Sequence, residues 1–447
     1  MSFPRYAKYK ESGVKGLGEV PEHWRCVPLK SIASLNDEVL GEDTPSDFAI
    51  EYVEISDVEI FLGITGSTAT TFAEAPSRAR RKVRDGDVIV STVRTYLKAI
   101  AQVRTPPDNM IVSTGFAVVR PKSADSGFLG YLLRSDYVIG TVISRSVGIS
   151  YPAINSSDLS NIILPLPPFG VQSEICNFLD RETAKIDALV AEQERLIALL
   201  KEKRQAVISH AVTKGLDPNA PMKDSGVEWL GEVPAHWAIA RLKRAAILLK
   251  DGTHLPPQRV DEGVPLLSVR NIADGKFGLR DDDSQISEAD YAELSRAFVP
   301  QPNDVLLAIV GATLGKVALI PADLGKFHIQ RSVAVLRTSP IVQPEWLRDV
   351  ISSGGFQRLL WEHVGYSAQP GIYLGTLADF CIPVPSLGEQ STIATHLRSA
   401  TGKLDRLIAE AQRAIALLQE RRAALISAAV TGKIDVRGLV AADAEAA

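Results

Sequence analysis

Between residues 171 and 213, apolar side chains recur at Ile175, Leu179, Ile186, Leu189, Leu196, Leu200 and Val207, in steps of mostly three, four or seven. This stripe belongs to a helix that packs along its length on another helix. Glu182, Gln193 and Lys203 interrupt the seam, and the remaining positions mix acidic and basic residues, as on a solvated outer face. Pro165, Pro167 and Pro168 precede the stretch and Gly215 follows it; Pro383, Pro385 and Gly432 bracket a second, similar stretch near the end of the chain. Helices of about 43 residues would be roughly 60 Å long, too long to bury in one small domain. Two such helices with matching stripes pack most simply on each other. Because the chain must pass through a whole module between them, the expected arrangement is an antiparallel pair with pseudo-two-fold symmetry and a module at each end of the rod.

The intervening regions read as strands. Phe48 to Ile55 alternates loosely, and DVIVSTV (87–93), IVSTGFAVV (111–119), DVLLAIV (304–310) and SVAVL (332–336) are short β-branched runs bounded by Gly, Asp and Pro. They predict half-buried strands in compact α+β domains. One helix is expected near Gly127 to Ser144, and its counterpart over 346–364.

The chain also repeats itself, which decides the architecture. SGVKGLGEVPEHWRCVPLK (12–30) and SGVEWLGEVPAHWAIARLK (225–243) agree at 12 of 19 positions, with an offset of 213; residues 189–213 and 407–431 agree at 16 of 25, with an offset of 218. Between these blocks most identity disappears. Two homologous modules have kept their frame and diverged in their centres.

Composition narrows the function. The 49 Lys and Arg against 53 Asp and Glu leave a formal charge of -4, so any nucleic-acid contact must come from local basic patches. No stretch approaches 18 apolar residues and the first residues lack a run of signal-peptide length, so the expected location is the cytoplasm. Cys26, Cys176 and Cys381 are too few and too scattered for a disulfide framework or a cysteine-based zinc site, and read as buried thiols. The seven histidines never pair at ligand spacing, so no metal site is expected. Leu166 to Phe169 has the Pro-Pro-aromatic part of an adenine-methyltransferase loop without its polar residue. GATLGKV (311–317) lacks the spacing and the Ser or Thr of a phosphate loop and reads as a turn between strands.

What remains is binding. Arg78, Arg80, Arg81, Lys82, Arg84, Arg94, Lys98 and Arg104 face only Asp85 and Asp87 in the same stretch, a local charge of +6. Lys and Arg clusters position a protein on phosphates, while Arg, Asn and Gln read base edges through paired hydrogen bonds. A solvated basic face is the plain alternative. In the second module the corresponding candidates are Lys250, Thr253, His254, Gln258, Arg259, Arg270, Asn271, Gln330, Arg331 and Gln369. The repeated pairs His23-Trp24 and His236-Trp237 read as packing anchors.

Several of these segments resemble a known family. YKESGVKGLGEVPEHW with its echo SGVEWLGEVPAHW, the loop YSAQPGIYLGTLADFCIPVPSLGEQ, the strands FHIQRSVAVLR and IVSTGFAVVRP, and the ending ERRAALISAAVTGKID are similar to the specificity subunit of type I restriction-modification systems, over about residues 7–437. The resemblance implies two target recognition domains, 1–169 and 215–387 with its linker, two conserved spacer helices, 170–214 and 388–433, and a tail, 434–447. It further implies that each domain reads one half of a bipartite, non-palindromic sequence in double-stranded DNA, and that the helices dock two methyltransferase subunits, with restriction subunits in the full complex. No catalysis and no cofactor are implied for this chain: S-adenosylmethionine, ATP and magnesium belong to the partners. Two departures stand out. Gly16 occupies the place of Trp229, and the loop GISYPAIN lacks the Gln369 of SAQPGI. From the residues alone, two alternatives remain: a DNA-reading subunit of a differently organised restriction or modification enzyme, and a coiled-coil scaffold without nucleic acid. Divergent centres on a preserved frame argue against the scaffold.

Overall fold

The computed structural model describes residues 3–255, 257–273, 275–366 and 369–439. The chain divides into two compact units, Met1–Glu194 with Gln412–Ala447, and Arg195–Ala411. Each unit holds one strand-rich middle, the first half of the long helix that follows it, and the second half of the other long helix.

In the first unit, the strands Ile100–Gln102, Val88–Ser91, Phe116–Pro121 and Ala33–Leu35 form an antiparallel sheet in that order. A second sheet runs Thr68–Thr71, Ala49–Val53, Met110–Ser113, Ala79–Lys82, with one parallel pair in its centre. DVIVSTV is apolar on both faces because both are covered. Val88 and Val90 join Val119 against the helices, whereas Ile89 and Val118 turn to Val53 and Val112 of the second sheet. The second unit repeats this division: Val305 and Leu307 pack toward helices, and Leu306 toward Leu267 and Ile329 of a smaller sheet.

The helices expected over 127–144 and 346–364 are each two. Ser126–Leu133 is followed by Asp136–Arg145, and Pro344–Ser352 by Gly354–Glu362. The break has the same cause in both copies. Ser135 and Ser353 donate their hydroxyls back to the carbonyls of Leu132 and Val350 and accept from Val138 N and Phe356 N, ending one helix and capping the next.

The long helices run Phe169–Lys214 and Leu387–Val430, 46 and 44 residues. In the first unit, Ile175 and Leu179 share a core with Leu425 and Val430, and Arg422 reaches Asp187 at 3.1 Å. In the second, Ile208 and Val212 share a core with Ile393 and Leu397, and Arg204 reaches Asp405 at 2.8 Å. Within each unit, later positions on one helix meet earlier positions on the other, so the segments pair antiparallel. The two ion pairs are the same pair in the two copies: Asp187 and Asp405, like Arg204 and Arg422, are separated by 218 residues.

The seam departs from expectation at two places. Leu189 and Leu196 are 46% and 41% exposed, while Val190, Gln193 and Ile197 turn inward. Alternating steps of four and three from Ile186 lead to Val190, Gln193, Ile197, Leu200 and Arg204, and Leu189 lies one residue, about 100° around the helix, from that line. Gln193 is therefore a seam residue, not an interruption of it.

Each long helix starts from a buried glutamine. Gln172 accepts from Asp125 N and donates to the Pro167 carbonyl; Gln390 accepts from Gln343 N and donates to the Pro385 carbonyl. Trp24 and Trp237 are fully buried. Trp237 donates to Glu389 at 3.0 Å, with His236 at 2.9 Å from the same carboxylate. Val171 stands where Glu389 would be in the first copy, and the Trp24 Nε1 has no hydrogen-bond partner. The three cysteines are free; Cys176 is buried, whereas Cys26 and Cys381 are half-buried. Among the described residues, no helix is long and apolar enough to cross a membrane.

Candidate nucleic-acid interface

In the first unit the basic run lies on and around the edge strand Ala79–Lys82. Strand alternation separates its members. Arg80 stacks over the Phe72 ring at 4.4 Å and Lys82 is exposed. Arg81 points the other way: it is half-buried, its Nε has no hydrogen-bond partner, and burial pulls its pKa below the usual arginine value. Arg78 and Arg84 are not free cations. Arg78 donates to the Tyr52 hydroxyl at 3.2 Å and to Glu54 at 2.9 Å, and Arg84 pairs with Glu38.

Arg94 and Lys98 lie on a separate feature. They flank the short turn Thr95–Leu97, both with left-handed backbone (φ +50° and +53°). The turn is pinned from below: buried Thr95 shares a 2.8 Å hydrogen bond with Ser146, and Val93 bridges Ala153. Arg94 lies over the Tyr151 ring at 5.0 Å.

The second unit builds the same meeting of loops from different residues. Val310 bridges Gly371, and Gly311 N donates to the Pro370 carbonyl at 2.8 Å. In the register of the repeat, Tyr151 and Gln369 occupy equivalent positions. The loop after the strand Ala246–Asp251 presses against the segment after His328–Ile329. Thr253 bridges Gln330, and Arg331 N donates to the Thr253 carbonyl at 3.2 Å. Only glycine permits this approach at residue 252, where a Cβ would lie 2.1 Å from the Ile329 carbonyl.

A cavity of about 750 Å³ opens there, and His254, Arg331 and Gln369 line it with Asp251, Tyr373 and an apolar floor of Ile309, Val310 and Ile372. His254 Nε2 is 2.7 Å from Asp251. The structure thus brings together Thr253, His254, Gln330, Arg331 and Gln369. The other predicted residues lie outside the cavity lining. Gln258 and Arg259 are exposed on the following loop. Arg270 pairs with Asp282 at 3.0 Å. Asn271 is buried; its amide donates to Gly278 O and Asp283 and its oxygen accepts from Ser268 N, so its hydrogen-bonding capacity is used inside the fold. A second cavity, about 390 Å³ beside Trp229 and Arg358, contains none of the predicted residues.

Sequence reasoning missed two arginines that hold these surfaces. Arg120 forks onto buried Asp87 at 2.9 and 2.8 Å, and Arg337 onto buried Asp304 at 2.8 and 2.8 Å. Both pKa values are raised, chiefly by these hydrogen bonds. The signal was present: both strands with Arg as the last residue but one (FAVVRP, VAVLRT) pair with strands that follow an Asp (DVIV, DVLL). Among the described residues, no group of three or more His, Cys, Asp or Glu is placed to hold a metal ion.

Comparison with known proteins gives concordant results. A family described as the type I restriction modification DNA specificity domain matches residues 70–197. The EcoBI specificity subunit of Escherichia coli is 26% identical over 306 residues, 66% of this chain but only 63% of that subunit. The EcoKI specificity subunit of Escherichia coli K12 is 22% identical over 435 residues, 93% of this chain and 90% of its own length. A solved chain from a study of complex assembly and conformational transition of the type I R-M system superposes with a TM-score of 0.67 at 24% identity, covering 92% of this chain and 98% of that one. This last likeness is one of fold.

Proposed function

We propose that the chain is a specificity subunit like those of type I restriction-modification systems, and that it reads a bipartite, non-palindromic sequence in double-stranded DNA for its partner subunits. One observation carries the reading. Two copies of one frame converge equivalent loops, Val93 with Ala153 and Val310 with Gly371, and load them with different side chains. A frame that keeps this convergence while its centres diverge is suited to two different half-sites.

The chain itself performs no bond chemistry. Two methyltransferase subunits dock on it and supply S-adenosylmethionine binding, and restriction subunits supply ATP- and magnesium-dependent translocation and cleavage. The complex works in the cytoplasm. Phosphate contacts come from the strand Ala79–Lys82 and its flanks, and base contacts from the converged loops, including Thr253, His254, Gln330, Arg331 and Gln369.

Sequencing of modified bases in DNA from cells with and without this chain tests the proposal. Modification at a split, asymmetric sequence should vanish with the chain. An unchanged pattern rejects the reading, and a mass measurement finding one methyltransferase per chain rejects the stoichiometry.

A further inference from the structure

The loop Val147–Tyr151 of the first unit carries side chains that the fold does not use. Ile149 is fully exposed, Val147 is 79% exposed and Tyr151 64%. Contiguous apolar side chains held out in solvent mark an interaction surface. This loop is also firmly based: Val147 and Ala153 exchange both backbone hydrogen bonds at 2.9 and 3.0 Å, and Ser146 links Thr95 to the Val142 carbonyl. Alongside runs the turn Thr95–Leu97, flanked by Arg94 and Lys98 in a backbone conformation that side-chain-bearing residues rarely adopt. The strain has a visible result, because it sets the Arg94 guanidinium over the Tyr151 ring.

The charge around this tip is one-sided. Residues 91–98 and 143–153 contain Arg94, Lys98 and Arg145 and no carboxylate, in a chain whose net charge is negative. An apolar tip with a cationic rim suits a polyanion with apolar groups recessed between its charges. Duplex DNA offers this in its major groove, where the thymine 5-methyl is the apolar feature and guanine O6 and N7 accept a paired bond from arginine. No carboxylate in these two stretches would repel the phosphates on either side of that groove.

Resting on the reading that this chain binds duplex DNA, we propose that the loop Val147–Tyr151 and Arg94 are the base-reading element of the first unit. Ile149 and Val147 seat against thymine methyl groups, and Arg94, steadied on Tyr151, bonds a neighbouring guanine. The equivalent loop of the second unit has Gln369 in place of Tyr151, so the two units read different bases through the same architecture.

The experiment uses the full chain assembled with its methyltransferase, after the target has been found by sequencing modified DNA. Duplexes carrying that target, with the thymines of one half-site kept or replaced by uracil, are bound to the wild type and to a V147S/I149S variant. Uracil differs only by the missing methyl, so it should weaken the wild type about fourfold per contacted methyl and leave the variant unmoved. The variant should lose discrimination at that base pair by about 5- to 150-fold, as for one mismatched pair, and keep the other half-site. An R94Q variant should relax a guanine position in the same half-site. The proposal is overturned if neither half-site contains thymine, if uracil has no effect on the wild type, or if the variant discriminates as before. Loss of methyltransferase assembly with unchanged discrimination would instead assign the loop to a protein partner. If the wild-type complex itself prefers no sequence, the underlying reading fails, a different result from the variant alone behaving as wild type.

Discussion

Trp229 lies against Gly355 so closely that a Cβ on the glycine would meet its ring at 2.7 Å, and its Nε1 donates to the Cys381 carbonyl at 3.2 Å. The first copy fills the same slot from the other side. Gly16 corresponds to Trp229 and Tyr137 to Gly355, and the Tyr137 hydroxyl donates to the carbonyl of Ile163, the counterpart of Cys381, at 2.7 Å. An aromatic ring with a polar tip is needed between the lead segment and the second helix of the pair. Which element supplies it has switched between copies, and the difference at residue 16 is half of a compensated exchange.

This exchange predicts a mutational cycle in the second unit. W229G alone should cost about 3–5 kcal/mol through the cavity it leaves, and G355Y alone about 1–3 kcal/mol because the added side chain meets Trp229. The double variant should recover about 1–3 kcal/mol of the sum. Gly355 has no left-handed backbone to forbid a tyrosine, whereas Gly16 does, at φ +86°, so the reverse exchange in the first unit should fail to recover. Denaturant unfolding of the four proteins measures the coupling. Strictly additive costs would mean that the two slots are unrelated.

The frame was far more legible than the site. Repetition located both copies, and proline and glycine stops placed the long helices within a few residues, because helix limits depend on local backbone chemistry. The seam was misjudged at Leu189 and Leu196, since an apolar residue one position from the line looks like a member of it until the partner helix is present. Ser135 and Ser353 split helices that apolar content alone had merged. Among the basic residues, sequence counted charges but not their neighbours. Arg78 meets Glu54, and Arg84 meets Glu38, a carboxylate 46 residues away that only the fold brings near.

The buried forks Arg120-Asp87 and Arg337-Asp304 should be costly to break from one side. R337M would leave Asp304 buried and unpaired, and such half-broken pairs lose about 3–5 kcal/mol. Replacing both residues with apolar ones of similar size should cost markedly less. Thermal unfolding of R337M, D304L and the double variant checks this, with R120M, D87L and their combination as the same test in the other unit. Equal stability of the single and double variants would contradict it.

His328 makes the second unit sensitive to acid. Its ring is buried, Nδ1 accepts from Ile329 N at 3.0 Å and Nε2 donates to the Phe298 carbonyl at 3.2 Å, so only the neutral ring satisfies both bonds. Burial holds its pKa below the usual histidine value. Below about pH 6.5 the unfolded chain therefore takes up a proton that the folded chain refuses. Stability is full above that pH and falls as the pH drops toward the lowered folded pKa, by at most about 1.4 kcal/mol per pH unit. Gln330 and Arg331 follow immediately, so DNA affinity should fall over the same range. Unfolding curves between pH 7.5 and 5 for the wild type and H328N should diverge in slope below pH 6.5; parallel curves would show that this ring is not the cause.

The basic strand yields a prediction in which the ion pairs decide the order of effects. Arg80 and Lys82 have no carboxylate partner among the described ion pairs, whereas Arg78 and Arg84 do. Each phosphate contact removed should lower the slope of log affinity against log salt by about 0.9. R80Q/K82Q should thus flatten the slope by about two and weaken binding to all sequences alike, since phosphate contacts position the protein without reading bases. R78Q or R84Q should do less, because in the free protein Arg78 already pairs with Glu54 and Arg84 shares Glu38 with Arg120, and DNA must compete with those contacts. Arg81 is a poor test residue: its Nε is buried without a hydrogen-bond partner, so its replacement would change the interior as well as the charge. Titration of the assembled complex against specific and unrelated duplexes at several salt concentrations separates these cases. An unchanged slope for R80Q/K82Q would reduce the strand to a solvated basic edge, and a shift confined to the specific duplex would make it a base reader.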